Sequence, residues 1–283
     1  MYPMPFDYEV AESVDHAIEL LGEHGDESKL IAGGHSLIPL MRLRLAAPTV
    51  LIDLDRLDDL RYVNDEGDHL AIGALTRHRD VHFDPVIQEH CGLLSLTAGL
   101  LGDPSVQHRG TIGGALAHGD PSGDLPTVVS TLEGELVVKG PDGERTVQAA
   151  DFFVDFLMPD LGEQEVVTEV RVPKLGQNTG WSYKKFSRRS QDWAIVGVAA
   201  VVERNNGSID SARVGLTSMG STPIRATAVE EALSGASPDA VAEAAEAADE
   251  GTEPASDGAA TADFRRHLAR VWTRRAVEEA LSR

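Results

Sequence analysis

The period of the apolar positions changes several times along this chain, and each change marks an element. Behind Ser13, the residues Val14, Ala17, Ile18 and Leu21 recur at helical spacing, and Gly22 or Gly25 ends the pattern. A strand over 29–32 follows, then a glycine turn, Pro39, a helical stretch over 40–45 and a continuous apolar run over 49–54 that reads as a buried strand. Together these predict a small unit of β-α-β type. From Leu70 the residues alternate as a strand, and Pro85 opens a pattern that predicts one long helix over 85–101. Segment 124–131 has helical composition, 135–139 and 165–172 read as strands, and 173–178 reads as a linker. Beyond it, 180–186, 194–203 and 209–218 predict an antiparallel sheet, with Asn205-Asn206-Gly207 as the turn between the last two strands. Helices are expected over 223–233, from Pro238 onward, and over 263–281, the last with Phe264, Leu268, Val271, Trp272, Ala276 and Leu281 near one face.

Two of the predicted turns carry paired glycines: Ala32-Gly33-Gly34-His35-Ser36 and Thr111-Ile112-Gly113-Gly114-Ala115. A Gly-Gly pair lets the backbone approach a bulky anion and point successive N–H groups at it, so two such turns suggest a cradle for a pyrophosphate. Neither reads Gly-x-Gly-x-x-Gly at a strand-to-helix junction, and no Walker lysine follows. The expected ligand is a dinucleotide held outside a Rossmann unit. Asp120 and Asp124 follow the second turn closely; carboxylates there would repel phosphates but accept from ribose hydroxyls, and Asp124 could equally cap the helix after it.

Composition narrows the class. Forty-six acidic residues against twenty-five basic ones give a formal charge of −21, which opposes binding to nucleic acid or to an anionic membrane. The acid is spread along the chain and Lys occurs at only five positions, a balance that fits a halophilic cytosol and also an ordinary acidic protein. No stretch reaches the roughly 18 apolar residues of a membrane span, and the N-terminus lacks the basic start of a signal peptide, so a cytoplasmic location is expected. The single cysteine, Cys91, cannot hold an iron–sulfur cluster and falls in an apolar stretch where a buried hydrophobe is expected. The histidines show no metal-ligand spacing, and no catalytic residue is assigned.

The motif Ala-Gly-Gly-His-Ser-Leu at 32–37, the Thr-Ile-Gly-Gly and Gly-Asp-Pro-x-x-Asp patterns within 111–124, and the segment 183–194 (YKKFSRRSQDWA) resemble the FAD-binding medium subunit of aerobic carbon monoxide dehydrogenases and of the xanthine dehydrogenase family. The resemblance covers essentially the whole chain. It implies an α+β fold: an FAD-binding PCMH-type domain over 1–175, with subdomains of about 1–55 and 56–175, and a C-terminal flavoprotein domain over 176–283 of three antiparallel strands and helices. It implies that Ala32, Gly33, Gly34, His35, Ser36 and Leu37 with Thr111, Ile112, Gly113, Gly114 and Ala115 hold the FAD pyrophosphate through backbone N–H groups, Ser36 and Thr111 adding hydroxyls. An Asn is common where this chain has Ala115. Asp124 matches the ribose-proximal carboxylate, Asp120 and His118 lie beside it, and Val167 and Leu101 fall where apolar contacts to the cofactor are expected. A cation near the flavin N1–C2=O edge would come from Lys184 or Lys185, which face opposite ways in a strand; Lys184 is preferred.

The function so implied is an electron relay in an oxidoreductase complex: FAD passes electrons from [2Fe-2S] clusters of a small subunit to an external acceptor, while a large molybdenum-cofactor subunit oxidises the substrate. A dimer of heterotrimers is expected, with a partner face around Arg188, Arg189 and Asp192. The alternatives are a free-standing FAD oxidoreductase with its own small substrate and a cofactor-free scaffold.

Overall fold

A parallel sheet, an antiparallel sheet and a second antiparallel sheet follow one another along the chain in the computed structural model, which describes residues 2–283. The first unit holds β1 (Asp7–Val10), α1 (Val14–His24), β2 (Ser28–Ile31), α2 (Leu37–Leu43) and β3 (Val50–Asp53), with the strands parallel in the order β1-β3-β2. Ser13 caps α1 by accepting from the His16 N–H, and Ala17, Ile18 and Leu21 bury against Ile52 of the central strand. The strand β1 has no counterpart among the sequence expectations. None of its four residues is buried, so no apolar alternation announces it. Pro39 lies inside α2, in the first turn, where an N–H would have no intrahelical acceptor.

The second unit runs through β4 (Val63–Asp65), β5 (His69–Gly73), α3 (His78–Phe83), α4 (Pro85–His90), α5 (Gly92–Gly99), α6 (Pro104–Arg109), α7 (Ile112–His118), α8 (Asp124–Thr131), β6 (Glu135–Gly140), β7 (Gly143–Gln148), α9 (Ala149–Phe152), the ribbon β8 (Phe153–Asp155) and β9 (Met158–Pro159), and β10 (Val166–Pro173). Its sheet is antiparallel in the order β4-β5-β10-β6-β7. The single helix expected over 85–101 is two helices. Cys91 sits between them at φ −146°, ψ 57°, outside helical space, while the apolar pattern continues across the break and so does not register it. Cys91 is fully buried, and burial pushes its thiol up to about 12.

The third unit comprises β11 (Thr179–Phe186), β12 (Val196–Asn205), β13 (Ser208–Thr217), β14 (Ile224–Arg225), α10 (Thr227–Leu233), α11 (Val241–Ala244) and α12 (Ala262–Ser282). The sheet has four strands rather than three, because Ile224 and Arg225 pair with β13 instead of opening the helix expected at 223. Asn206 and Gly207 both take positive φ in the β12–β13 turn, as that hairpin requires. The helix expected from Pro238 is broken into short turns around α11. On α12 the buried face is Leu268, Ala269, Ala276, Val277 and Ala280, while Phe264 is exposed.

The run 196–202 is apolar throughout because β12 is covered on both faces. Ala199 and Val201 join the core of the second unit, and Val196, Val198, Ala200 and Val202 join that of the third. The seam between these units is therefore a shared core. Among the described residues no helix is long and apolar enough to cross a membrane.

Candidate cofactor-binding cleft

A cleft of about 440 Å³ opens where the three units meet, within the ~300–1,000 Å³ range of small-molecule sites. Its walls come from the segment around the first glycine turn, the α6–α7 segment, β10, and the β11 end with residues 191–193.

The first turn is the donor wall. Among the described residues the N–H groups of Gly33, Gly34, His35, Ser36 and Leu37 have no protein acceptor, while the carbonyls of Gly34 and Ser36 accept from Ile38 and Leu40. Gly34 takes φ +71°, and the His35 ring bonds through Nδ1 to the Gly33 carbonyl at 2.8 Å. Gly33 has a second reason for lacking a side chain. A Cβ there would stand 2.2 Å from the Arg109 carbonyl oxygen and 2.7 Å from Gly110 Cα, so the turn can close on the second unit only as glycine. Successive unbonded amides in such a bend form an anion-binding concavity.

The second glycine pair works differently, and here the expectation of a matching amide cradle fails. Gly113 and Gly114 lie in the first turn of α7, and their donors are already used. Ile112 N–H goes to Thr76 O (3.0 Å), Gly113 to Ala74 O (2.9 Å), Gly114 to the Thr111 hydroxyl (3.2 Å) and Ala115 to Thr111 O (3.0 Å). Thr111 is the helix N-cap, and Ile112 is fully buried in the core and does not line the cleft. What the pair supplies is closeness: a Cβ on Gly113 would lie 2.5 Å from Ala74 Cβ, and one on Gly114 would lie 2.7 Å from Thr111 Oγ1 and 3.9 Å from Ala32 Cβ. Thr111, Gly113, Gly114 and Ala115 all line the cleft without offering the 112–115 amides to it.

Leu101, His118, Asp120 and Val167 also line it. Asp120 holds its own loop by accepting from Ser122 N–H at 2.8 Å, and its other oxygen is 3.9 Å from His118 Nε2. Burial lowers the His118 pKa, with Asp120 opposing. Asp124 is the first residue of α8 rather than its cap, which is Gly123, so the capping role falls away. Its carboxylate is buried and accepts from the Tyr183 hydroxyl (2.6 Å) and from Lys185 Nζ (2.8 Å). Burial pushes its pKa up and Lys185 pulls it down.

The two lysines separate as strand geometry requires, but not in the preferred order. Lys185 points into the cleft with a side chain 8% exposed. Lys184 faces away and pairs with Glu279 of α12, so of the two it is Lys185 that lines the cleft, where Lys29 also stands. The expected partner face is also partly used within the chain, because Arg188 donates to the Gly258 and Ala259 carbonyls.

Many of the residues lining the cleft were not assigned to the cofactor from the sequence, Gln191, Trp193 and His78 among them. Gln191 and Trp193, the latter 55% exposed, stand at the mouth. His78 lies behind Gly110 with its Nδ1 buried and unpartnered; burial, with His35 nearby, lowers its pKa to about 4 and keeps the ring neutral. Gln191 and Trp193 belong to the motif segment 183–194, where they could have been singled out, whereas nothing in the sequence marks His78. Among the described residues no three His, Cys, Asp or Glu side chains gather as a metal site.

Residues 4–175 match the family model described as the FAD binding domain in molybdopterin dehydrogenase, and residues 181–280 match the CO dehydrogenase flavoprotein C-terminal domain. The chain belongs to this family of FAD-binding molybdopterin dehydrogenase subunits. It is 41% identical over 285 residues to the carbon monoxide dehydrogenase medium chain of Hydrogenophaga pseudoflava, covering 100% of this chain and 99% of that one. It is 36% identical to the 6-hydroxypseudooxynicotine dehydrogenase complex subunit alpha of Paenarthrobacter nicotinovorans, over 100% and 97% of the two chains. A solved structure of the Hydrogenophaga pseudoflava carbon monoxide dehydrogenase, lacking the Mo-pyranopterin moiety of its molybdenum cofactor, superposes with a TM-score of 0.97 at 42% identity, covering 100% and 99%. The chain is thus an FAD-carrying oxidoreductase subunit, and its relatives are medium subunits of multi-subunit enzymes.

The cleft of this family member fits FAD on its own terms. Five unbonded amides match the donor demand of a diphosphate, the Gly33–Arg109 and Gly113–Ala74 approaches leave no room for a side chain in the cradle, and Lys185 offers a cation in the same cleft.

Proposed function

We propose that this chain is the electron-transfer subunit of a molybdenum hydroxylase complex, held in the cytoplasm as a dimer of heterotrimers with a large molybdenum-cofactor subunit and a small [2Fe-2S] subunit. Bound FAD supplies the redox chemistry, taking electrons from the clusters of the small subunit and passing them to an external acceptor. The amides of Gly33–Leu37 grip its diphosphate, and Ser36 adds a hydroxyl. Asp120, whose Oδ2 is not engaged by a backbone donor, accepts from a ribose hydroxyl, since the oxygens of Asp124 are occupied. Leu101 and Val167 give apolar walls, and Gln191 with Trp193 limits water at the mouth. Lys185 places positive charge where a reduced flavin gathers negative charge, which raises its potential.

Two observations support division of labour among subunits. The one cysteine is buried in a packed core, so clusters must sit on another chain. The relatives belong to complexes named for chemically unrelated substrates, carbon monoxide and 6-hydroxypseudooxynicotine, which fits a chain that handles cofactor rather than substrate. The observation that carries the reading is a run of five amides without a protein acceptor among the described residues, on residues that line the same cleft as Lys185. Native purification through a tag on this chain, followed by mass spectrometry and flavin, iron and molybdenum analysis, tests it. One FAD per chain and two co-purifying subunits bearing iron and molybdenum are expected. A protein that purifies alone and stays colourless with added FAD contradicts it.

A further inference from the structure

Tyr183 does not touch the cleft, yet its hydroxyl is one bond from the residue that does. It lies 2.6 Å from Asp124 Oδ1, while Asp124 Oδ2 receives Lys185 Nζ at 2.8 Å. On the other side, the Tyr183 hydroxyl bonds to Thr217 Oγ1 at 3.1 Å, and Thr217 Oγ1 bonds to Thr127 Oγ1 at 2.8 Å. The chain of five side chains runs from Lys185 on β11 to Asp124 on α8, back to Tyr183 on β11, on to Thr217 on β13 and ends at Thr127 on α8, so it spans the seam between the second and third units. The slot for the hydroxyl is built in. A Cβ on Gly197 of β12 would stand 2.4 Å from the Tyr183 oxygen and 2.9 Å from Thr217 Oγ1, and one on Gly215 of β13 would stand 2.0 Å from Thr131 Oγ1 of α8, so the absence of side chains at these two glycines leaves the room in which the hydroxyl and its partners sit.

A carboxylate with no water around it needs a donor at each oxygen to stay ionised and in one rotamer. Lys185 has four rotatable bonds and, among the described residues, Asp124 as its hydrogen-bonding partner, so its position is only as fixed as that carboxylate. We propose that Tyr183 is a positioning residue for the cleft cation: by donating to one oxygen of Asp124 it aims the other at Lys185, and so sets where the ammonium meets the flavin. The inference rests on the FAD reading above. It makes the third unit part of the cofactor's electrostatic setting, with the seam hydrogen bonds as the link.

The experiment compares wild type, Tyr183→Phe, Lys185→Met and the double variant, all loaded with FAD, by spectroelectrochemical titration of the flavin midpoint potential. Lys185→Met is expected to lower the potential and Tyr183→Phe to lower it in the same direction. The double variant should match Lys185→Met alone, because the hydroxyl acts only through the lysine. A wild-type potential in Tyr183→Phe, or shifts that add in the double variant, overturns the inference. A second readout needs no flavin: amine labelling of Lys185 in the FAD-free protein, with Lys184 as internal reference. Labelling of Lys185 relative to Lys184 should rise roughly tenfold in Tyr183→Phe, on the scale of one lost charge-assisted hydrogen bond. An unchanged ratio overturns the proposal. If Tyr183→Phe does not fold, Thr217→Ala, which removes the anchor of the hydroxyl together with the bond to Thr127 but leaves Tyr183 and Asp124 in place, should raise the same ratio, and no rise overturns the proposal. Failure of wild type to bind FAD at all would instead bring down the functional reading beneath it, whereas retained FAD with uncoupled potentials removes the inference alone.

Discussion

Gly33 and Arg109 belong to different units of the fold, and the backbone of one is pressed on the other so closely that a Cβ on Gly33 would lie 2.2 Å from the Arg109 carbonyl oxygen. The obstacle is main chain, which cannot swing aside. Gly33→Ala must therefore part the turn from the second unit. Such overpacking costs about 1–3 kcal/mol, and if it falls on the cradle the FAD dissociation constant rises roughly 5–150-fold. Fluorescence titration of the FAD-free protein measures it. At Gly114 the added carbon meets mainly the Thr111 hydroxyl, at 2.7 Å, and Gly114→Ala should weaken FAD binding less than Gly33→Ala. A larger branched residue, as in Gly114→Val, intrudes on the gap toward Ala32 and should abolish flavin retention in a chain that still folds.

The two neighbouring lysines should differ sharply when removed. Lys185→Met leaves the Asp124 carboxylate buried without its counter-charge, a change that costs about 3–5 kcal/mol in comparable buried pairs. Lys184→Met breaks a partly exposed pair with Glu279 and should cost about 1 kcal/mol or less. Urea denaturation of both variants gives the comparison, and Asp124→Asn added to Lys185→Met should recover part of the loss.

His78 makes stability fall in mild acid. Its folded pKa, about 4, lies below the value near 6.5 expected of the unfolded chain, so protons bind the unfolded state preferentially between these limits. The contribution is complete above pH ~6.5, is lost progressively as the pH falls toward about 4, and amounts to roughly 3 kcal/mol. Denaturation midpoints of wild type and His78→Gln between pH 7.5 and 4.5 should converge as the pH falls. Parallel curves would show that the ring does not stay neutral in the folded protein.

How much of this was legible beforehand depends on what each feature rests on. The first unit apart from β1, the three long strands of the third and the terminal helix follow from periodicity, because each has a single buried face or a continuous apolar run. The edge strands β1, β4 and β7 do not, since mostly exposed residues carry little alternation. The glycine motifs pointed to the cleft, yet most of the residues that line it, and the division of labour between the motifs, were not legible. Whether an amide is free depends on tertiary partners such as Ala74 and Thr76, which lie some forty residues away from Gly113 and Ile112 in sequence. The choice between Lys184 and Lys185 likewise turned on which face of β11 meets α8 and which meets α12.

Cys91 should be inert. With its thiol pushed up to about 12 by full burial, iodoacetamide at pH 8 should leave it unmodified in the folded protein and alkylate it in denaturant, as read by intact mass.

Hydrogen–deuterium exchange of the FAD-free chain, with and without added FAD, tests the diphosphate cradle most directly. New protection concentrated on the amides of residues 33–37, with the already bonded amides of residues 112–115 changing little, is the predicted result. FAD bound at full occupancy while residues 33–37 exchange as fast as before would contradict it.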